Sequence, residues 1–438
     1  MGCRILDCKS AEFYSVVYNM LHNVVRWTNC IRHFGPLSGA DPKFSGEVVR
    51  EDAYVRLLFS YGTHLGPGQA ARHMRGAISA HSLSYLNQRH VTSAKLDAAL
   101  ADIVNCYHRL PLPKVWGDGT SVAADGTAYA LPANNPLAEY HFRYRTLGGV
   151  AYRHIADSYI ATFSQFTPCG VWEAVYLIEG LLGNQSDLQP TTVYSDTQGQ
   201  STPVFALANL LGIELLPRIR NWKDLILYKA DVGTSYEHID SLFGGTIDWG
   251  LIERHWQDLM QVVLSIRGGR LSSATLLRKL RYDSKRNRVY KVFQEVGRVI
   301  RTLFLLRYIS DMPLREEITA ETNKVESFHG FADWLNFGSD GTLTERDPEE
   351  SEKLIKYGAI LANAVILHNV YDMTNAINTV RRSGQRVFRA DLRHLSPYST
   401  TQIKRFGDYL LSTADETVLD DALAWSLDED EPLAAPAA

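Results

Sequence analysis

"TTVYSDTQGQSTPVFALANLLGIELLPRIR" (residues 191–220) opens with a short run of β-branched and aromatic residues that stops at Asp196. Gly199 and an apolar pattern of helical period follow, so the stretch predicts a strand, an acidic residue, a loop and a helix. An Asp after a strand is often only a turn former or a helix cap. Open α/β sheets also bind ligands at the carboxyl ends of their strands. The function of Asp196 therefore depends on whether other carboxylates lie near it.

The composition is that of an ordinary soluble globular protein. The chain has 438 residues, of which 45% are hydrophobic and 21% charged, which suffices for two or three domains. Its five cysteines form no CxxC pair and no Cys/His cluster at zinc spacing, which favours neither a disulfide framework nor structural zinc. No signal peptide is evident and no apolar run approaches the length of a membrane span. We expect a cytosolic protein without a membrane partner.

Positive charge is concentrated in one segment of a chain whose net charge is −4. Residues 267–307 contain twelve Lys or Arg against two acids. A solvated helix face usually mixes both signs, so this excess favours a surface that binds the phosphate backbone of DNA. The candidate DNA-binding residues in it are Arg267, Arg270, Arg278, Lys279, Arg281, Lys285, Arg286 and Arg288.

The order of predicted elements indicates a mixed α/β fold. Residues before 114 are mainly helical, and the chain then changes to three strands followed by alternating helices and strands, in the order β-β-β-α-β-α-β. Such an order predicts a mixed sheet covered by helices. It is similar to an RNase H-like fold of the retroviral-integrase type, in which the first and fourth strands are central neighbours. A carboxylate on the first strand would then lie beside Asp196.

Two carboxylates are available on the first strand. Asp118 lies between glycines in "WGDGT", which suits a turn, whereas Asp125 in "AADGT" follows a short apolar run and precedes Gly126. Asp125 is therefore the better partner for Asp196. Two facing carboxylates repel each other unless a cation lies between them, and hard oxygen ligands suit Mg²⁺. Two such ions about 4 Å apart can stabilise the attacking and leaving oxygens of a displacement at phosphorus.

A third carboxylate is available in "EEITAETNKVESFHGFADWLNFG" (316–338). This stretch predicts a helix that begins at Thr319 or Thr322 and ends near its final glycine. Glu326 lies off the apolar stripe of this helix, although an exposed helix glutamate is the commoner interpretation of any Glu taken alone. Its neighbours on the same face, both possible accessory residues, are Asn323 and His329. His329 could position a water or the phosphate, although a lone helix histidine is more often structural.

Several long blocks resemble the transposases of the Tn-three family of replicative bacterial transposons. The resemblance runs from "YVRLLFSYGTHLG" (54–66) to Leu411. The blocks that carry it, in chain order, are "WGDGTSVAADG", "HIADSYIATFSQFTPCGVWEAVYLIEGLLGN", "VYSDTQGQSTPVFALANLLGIELLPRIRN", "TNKVESFHGFADWL" and "HLSPYSTTQIKRFGDYLL".

The resemblance implies a DDE transposase whose catalytic, metal-binding carboxylates are Asp125, Asp196 and Glu326. It implies two Mg²⁺ ions, for which Mn²⁺ can substitute, and double-stranded DNA as partner, both as transposon end and as target. Water would attack at the 3′ ends of the element, and the freed 3′-hydroxyls would attack target DNA in replicative transposition. It also implies a homodimer in the bacterial cytoplasm, associated with the nucleoid.

The resemblance also sets the expected domain boundaries. An RNase H-like catalytic domain is expected at 114–338, with a basic helical insertion at about 223–315. The other expected regions are an unplaced helical region at 1–52, helices at 53–113, carboxyl-terminal helices at 339–425 and an acidic disordered tail at 426–438. Family members are about twice as long, so the chain is expected to be a carboxyl-terminal catalytic portion.

The chain departs from the family pattern beside the carboxylates. Ala123 and Ala124 replace serines before the first Asp, and Val325 replaces the Gly before the Glu. Two alternatives therefore stay open: an inactive fragment that only binds DNA or joins other subunits, and a different RNase H-like nuclease.

Three basic residues near the expected site are candidate phosphate clamps or else ordinary surface and ion-pair residues: Arg218, Arg220 and Lys324. Three tryptophans could stack on a splayed base or else belong to the core: Trp116, Trp172 and Trp222.

Overall fold

The computed structural model describes residues 15–35, 47–141, 145–169, 173–281, 288–338, 341–406, 409, 418–419 and 422. The chain divides into two compact units. Residues 1–116, 330–343 and 349–438 form the helical unit, and residues 117–329 with 344–348 form the sheet unit. The expected acidic tail at 426–438 lies outside the described residues.

The element bounds are as follows. The helices are α1 Val17–Thr28, α2 Glu47–Gly62, α3 Gly66–His73, α4 Ala80–His90, α5 Ser93–Arg109, α6 Tyr176–Leu182, α7 Thr202–Leu210, α8 Trp249–Arg254, α9 Trp256–Arg267, α10 Ser273–Arg281, α11 Arg288–Ser310, α12 Met312–Leu335, α13 Pro348–Arg382 and α14 Arg389–Leu392. The strands are β1 Ser15–Val16, β2 Ser121–Ala130, β3 Glu139–His141, β4 Thr146–Ala156, β5 Ala161–Pro168, β6 Thr192–Ser195, β7 Glu214–Pro217, β8 Leu227–Lys229, β9 Phe243–Thr246 and β10 Ile403–Lys404.

Helix α13 forms the core of the helical unit. By length and composition it could cross a membrane, which corrects the expectation that no apolar run of that length exists; 89% of its most apolar window is buried within the protein. Burial of this kind is typical of the core helix of a globular fold. Two of its buried polar residues are paired internally: Lys356 Nζ lies 2.6 Å from a carboxylate oxygen of Asp97, and Asn369 Nδ2 donates to the Pro397 carbonyl at 2.8 Å.

The sheet unit is built on a mixed sheet with β2 at its centre. Strand β2 pairs antiparallel with β4 along its length and parallel with β6, which pairs parallel with β7. The other edge of β4 pairs with β5 and, through three residues, with β3. The predicted mixed α/β class is confirmed, as is the pairing of the first predicted strand with the strand before Asp196. Strand β3 is absent from the sequence prediction.

The helices of the sheet unit bury apolar residues by packing on the sheet and on each other. In α7, seven of nine residues are buried, beginning with Thr202. Helix α11 packs against α7, with the Phe205 and Phe304 ring centroids 5.4 Å apart. The approach is close at Gly297, where an added Cβ would lie 1.9 Å from the backbone oxygen of Thr202. Glycine is therefore needed at this contact.

Helix α12 begins earlier than its sequence signals indicated. The predicted start at Thr319 or Thr322 was wrong, because the helix begins at Met312. Asp311 is the cap, since its Oδ1 accepts from the Leu314 N–H at 3.0 Å. Thr319 and Thr322 lie inside the helix, where each hydroxyl donates to the carbonyl four residues earlier at 2.8 Å.

The two helical glycines Gly297 and Gly330 make a matched pair for testing this packing. Gly297→Ala should destabilise the fold by about 1 to 3 kcal/mol, because the new methyl group meets rigid backbone. Gly330→Ala should stabilise it by roughly 0.5 to 1 kcal/mol, since nothing lies within 4 Å of the added Cβ and alanine favours helix. Thermal or urea unfolding of both variants measures the difference, and equal effects of the two would contradict the packing of α11 on α7.

Candidate active site

Asp125 lies in the middle of the central strand β2. Its side chain is half-buried, and its Oδ1 accepts a hydrogen bond from the Gly126 N–H at 2.8 Å. Gly126 has no room for a side chain, because an added Cβ would lie 2.6 Å from both Glu173 Oε2 and a Val150 methyl group. The glycine after Asp125 therefore permits the close packing that supports this part of the strand.

Asp196 follows β6 directly and caps the short 3₁₀ helix Thr197–Gln200. Its Oδ1 accepts from the Gln198 N–H at 2.9 Å. The parallel register between β2 and β6 ends with Ala124 opposite Ser195, so Asp125 and Asp196 are the next residues on the two strands. Adjacent strands lie about 4.8 Å apart, which makes these two carboxylates neighbours. Asp196 can therefore cap the 3₁₀ helix and also form part of a site with Asp125.

Glu326 projects from α12, which contacts β6 and the turn after β4 through two residues that precede Glu326 in the helix. Glu317 accepts a hydrogen bond from the hydroxyl of Tyr194 on β6. Lys324 Nζ donates to the Asp157 carbonyl at 2.7 Å, at the turn after β4. Val325 beside Glu326 is buried, and Glu326 itself is exposed. These contacts orient the helix while leaving the carboxylate in solvent.

The three carboxylates line one cleft together with two predicted clamp residues. Nine residues form its walls: Ala124, Asp125, Asp196, Thr197, Arg218, Arg220, Thr322, Val325 and Glu326. Arg218 follows β7, and its N–H donates to the Ser195 carbonyl at 2.8 Å, next to Asp196. The walls thus combine three acidic and two basic side chains. This combination can bind a cation and a phosphate at once.

The donor chemistry of the cleft suits a divalent cation. Carboxylate oxygens are the ligands that Mg²⁺ prefers, and the ion usually takes one or two carboxylates while waters and substrate phosphates complete its shell. Within the described part of the chain, no three Asp, Glu, His or Cys side chains converge closely enough to hold a metal ion by themselves. The cleft thus offers carboxylate donors to a cation, whose remaining ligands would have to come from water or a bound phosphate.

The other predicted site residues lie outside the walls of this cleft. Asp118 Oδ1 accepts from the Thr120 N–H at 3.0 Å in a turn. Lys324 pairs with Glu321 at 2.7 Å and lies 5.0 Å from the centre of the Tyr159 ring. Asn323 is exposed on α12, as Glu326 is, whereas His329 is buried, so only His329 lies away from the exposed surface of Glu326.

Most of the predicted DNA-binding residues of the insertion are exposed. Those described as exposed are Arg267, Arg270, Arg278, Lys279 and Arg288. Two of them make internal contacts, since Arg267 Nη2 donates to the Leu211 carbonyl at 3.0 Å and Arg278 donates to the Tyr176 hydroxyl. Lys285 and Arg286 lie outside the described residues, as does the side chain of Arg281.

Arg153, a buried cation close to the cleft, was not predicted from the sequence. It lies opposite Asp125 in the β2–β4 pairing, so both side chains are on the same face of the sheet. Arg153 is 1% exposed, donates from Nη2 to the Tyr129 hydroxyl at 2.8 Å, and lies 5.8 Å from the centre of the Phe328 ring. The sequence feature that could have indicated a buried arginine is its place inside the largely apolar run "GVAYRHIA" (149–156).

Burial and the Arg153 cation together keep His329 neutral. The pKa of His329 lies well below its usual value because burial disfavours the charged form and the Arg153 cation opposes a second positive charge. Burial alone lowers the pKa of His154, on β4, to about 3. Neither imidazole is therefore protonated near neutral pH. His329 acts here as part of the core beneath Glu326 rather than as a titrating group.

Comparison with known proteins identifies one family along nearly the whole chain. The family model described as the Tn3 transposase DDE domain matches residues 19–409. The transposase for transposon Tn1546 of Enterococcus faecium is 28% identical over 410 residues, which cover 92% of this chain and 41% of that protein. The transposase for transposon Tn21 of Escherichia coli is 29% identical over 398 residues, covering 90% of this chain and 40% of that protein.

A third relative gives the same proportions. The transposase for transposon gamma-delta of Escherichia coli (strain K12) is 27% identical over 382 residues, 86% of this chain and 38% of that protein. The chain thus spans about two fifths of the length of the curated relatives it matches.

The two neutral buried histidines predict a loss of stability in acid. An unfolded histidine has a pKa of about 6.5. Above that pH neither state is protonated, whereas below it the unfolded chain binds protons that the fold rejects. Stability is therefore complete above about pH 6.5 and falls as the pH drops from there toward about 3 for His154, by up to about 1.4 kcal/mol per pH unit for each histidine.

Urea unfolding of wild type and His329→Gln between about pH 7.5 and about pH 5.5 measures this effect. The variant should lose stability less steeply with acid than wild type. Parallel curves for the two proteins would contradict a neutral, buried His329.

Proposed function

The chain belongs to the Tn3 transposase DDE domain family, and on this premise we propose that it cleaves transposon DNA at its 3′ ends and joins those ends to target DNA. The observation that carries the proposal is the single cleft lined by Asp125, Asp196 and Glu326 with Arg218 and Arg220. Transposases act on DNA, and these side chains are suited to phosphodiester chemistry.

The sheet supports an RNase H-like assignment for this unit. Its order β5–β4–β2–β6–β7 has the first long strand at the centre, flanked by an antiparallel and a parallel neighbour. This strand order explains why Asp125 and Asp196 are neighbours, because they come directly after the last paired residues of the parallel strands β2 and β6. The insertion contains β8, β9 and α8–α11. Glu326 lies on α12, the helix that follows it.

Asp125, Asp196 and Glu326 are the residues that would hold Mg²⁺ or Mn²⁺, with two ions expected. When bound, the ions stabilise the charge that develops on the attacking and leaving oxygens. The half-buried aspartates are fixed by hydrogen bonds from Gly126 and Gln198. The exposed Glu326 has the longer and freer side chain, so it can adjust when DNA enters the cleft.

The proposed reaction consists of two phosphoryl transfers. First, a water oxygen bonds to the phosphorus at the element end while the bond from phosphorus to the 3′-oxygen breaks, which leaves a 3′-hydroxyl. That hydroxyl then attacks a phosphorus in target DNA, and the displaced target 3′-oxygen leaves as a hydroxyl. Both steps proceed without a covalent protein–DNA bond. The branched product is the one that replicative transposition requires.

Arg218 and Arg220 have the charge and position to bind the phosphate that is attacked. Both follow β7, whose last residue, Pro217, lies opposite Ser195 in the parallel register. The main chain of Arg218 is held on its carbonyl side as well, because Gln200 Nε2 donates to its oxygen at 2.9 Å. A guanidinium presents several donors in a planar fork that matches phosphate oxygens. The two arginines therefore act as phosphate clamps in this proposal.

The basic insertion is the proposed surface for the DNA backbone outside the cleft. Arg270, Lys279 and Arg288 are exposed and form no ion pair with other described residues. Their charge is therefore available to DNA phosphates. The proposal includes a homodimer that brings two element ends together, and a bacterial cytoplasmic location at the nucleoid.

The carboxylates can be tested by strand transfer of a labelled duplex with a free 3′-hydroxyl into supercoiled plasmid, in Mg²⁺ and in Mn²⁺. Asp196→Asn and Glu326→Gln should each reduce joined product about a hundredfold or more, because loss even of an outer-shell group costs about 10 to 100-fold at metal sites. Glu316→Gln is the matched control, since Glu316 is exposed on the same helix, and it should join ends like wild type.

Two results would contradict the proposal. Joining that persists in both carboxylate variants would remove the metal-site explanation. DNA binding without nicking or joining by wild type would support a binding module in place of a catalytic transposase.

The proposed DNA surface can be tested by removing three positive charges from the sheet unit and, in a control, three from the helical unit. The triple variant Arg270→Gln, Lys279→Gln, Arg288→Gln should weaken duplex binding and reduce the slope of log affinity against log salt by about one per residue. The matched control is Arg386→Gln, Arg389→Gln, Arg393→Gln, which removes three exposed charges from the helical unit. Fluorescence anisotropy across a salt series measures both, and equal slopes for the two triple variants would place the DNA surface elsewhere.

A further inference from the structure

A run of four exposed residues follows the cleft on the chain after β7. Arg220, Asn221, Trp222 and Lys223 are all exposed, and Arg220 lines the cleft. Trp222 is 44% exposed, so a large part of its indole is open to solvent beside the charged cleft. Two residues span at most about 7 Å, so the Trp222 Cα lies within that distance of the Arg220 Cα. An open aromatic surface thus adjoins the proposed site of phosphate attack.

The backbone at this run is fixed in a particular direction. Asn221 has φ 56° and ψ 55°, in the left-handed region, and precedes the 3₁₀ helix Trp222–Asp224. Few residues other than glycine adopt this conformation, and asparagine is among those that do. The turn separates Arg220, in the cleft wall, from Trp222 on the adjoining surface. The tryptophan position is thereby set by the fold.

The indole ring is supported from behind by a series of aromatic contacts. The Trp222 and Tyr308 ring centroids are 5.6 Å apart, as are those of Tyr308 and Phe304. Phe304 in turn contacts Phe205, which is 1% exposed in α7. The series connects an exposed ring to the core of the sheet unit. A ring held in this way can receive a flat ligand at little entropic cost.

Charge and position together indicate the ligand. Two exposed basic residues adjoin Trp222 in the chain, Arg220 two positions before it and Lys223 directly after it. Aromatic side chains combined with basic residues are the means by which proteins bind unpaired bases and their phosphates. We infer that Trp222 is a stacking platform for an unpaired DNA base beside the phosphate that is attacked. This inference rests on the proposed function, since it concerns the DNA in that cleft. It adds a binding subsite for a base next to the carboxylates.

The test uses a forked DNA duplex with 2-aminopurine at the first unpaired position, in Ca²⁺ to avoid cutting. Stacking on an indole quenches 2-aminopurine, so saturating wild-type protein should quench its fluorescence. Trp222→Leu should abolish the quenching and lower the preference for forked over blunt duplex about tenfold, within the range for loss of one stacked base. Trp222→Phe should retain most of the preference because it keeps an aromatic face.

Trp256→Leu is the matched control, because Trp256 is 45% exposed in the same unit. It should quench and bind as wild type does. Quenching by Trp222→Leu equal to that of wild type, with binding intact, overturns the stacking inference and leaves the proposed function standing. Failure of wild type to bind either duplex overturns both. Unchanged quenching with altered self-association of Trp222→Leu would assign this face to a protein contact and overturn the inference.

Discussion

Parallel pairing of β2 with β6 is the constraint on which the site depends. The register ends with Ala124 opposite Ser195, so the chain must place Asp125 and Asp196 side by side at the point where pairing stops. Two adjacent carboxylates repel each other, and the fold offsets part of that cost with hydrogen bonds from Gly126 and Gln198. In the proposed function, a divalent cation would relieve the remaining repulsion. The strand pairing thus accounts for the position of the proposed metal ligands.

Much of this arrangement could be predicted because it is local in the sequence. The strand before Asp196, the helix after it and the hairpin of β4 with β5 each have their own periodic pattern, and the order of the strands then implied the central pair. The stripe of Val325 and Phe328 showed that Glu326 lies off the buried face of its helix, and the family resemblance then assigned it to the site. The chain fragment from 191 to 220 contains one carboxylate and both arginines of the cleft, so a short segment predicts much of the wall.

The rest depends on contacts between distant parts of the chain. The start of α12 was misplaced because Thr319 and Thr322 resemble caps, whereas Asp311 forms the real one. Arg153 could not be assigned because its partners, Tyr129 and Phe328, come from β2 and α12. Lys324 looked like a phosphate ligand from its place beside Glu326, yet its ammonium group pairs with Glu321 and the Asp157 carbonyl. Side-chain partners of this kind follow only from the assembled fold.

The most direct test of the account is to locate the ion on the chain. Fe²⁺ can replace Mg²⁺ at a carboxylate site, and with ascorbate and peroxide it generates hydroxyl radicals that cut the nearby backbone. Mass spectrometry of the fragments should find cuts beside Asp125, Asp196 and Glu326, and excess Mg²⁺ or Asp196→Asn should suppress all three together. Cuts confined to other segments, or cuts at these positions that neither Mg²⁺ nor Asp196→Asn reduces, would contradict a metal site formed by the three carboxylates.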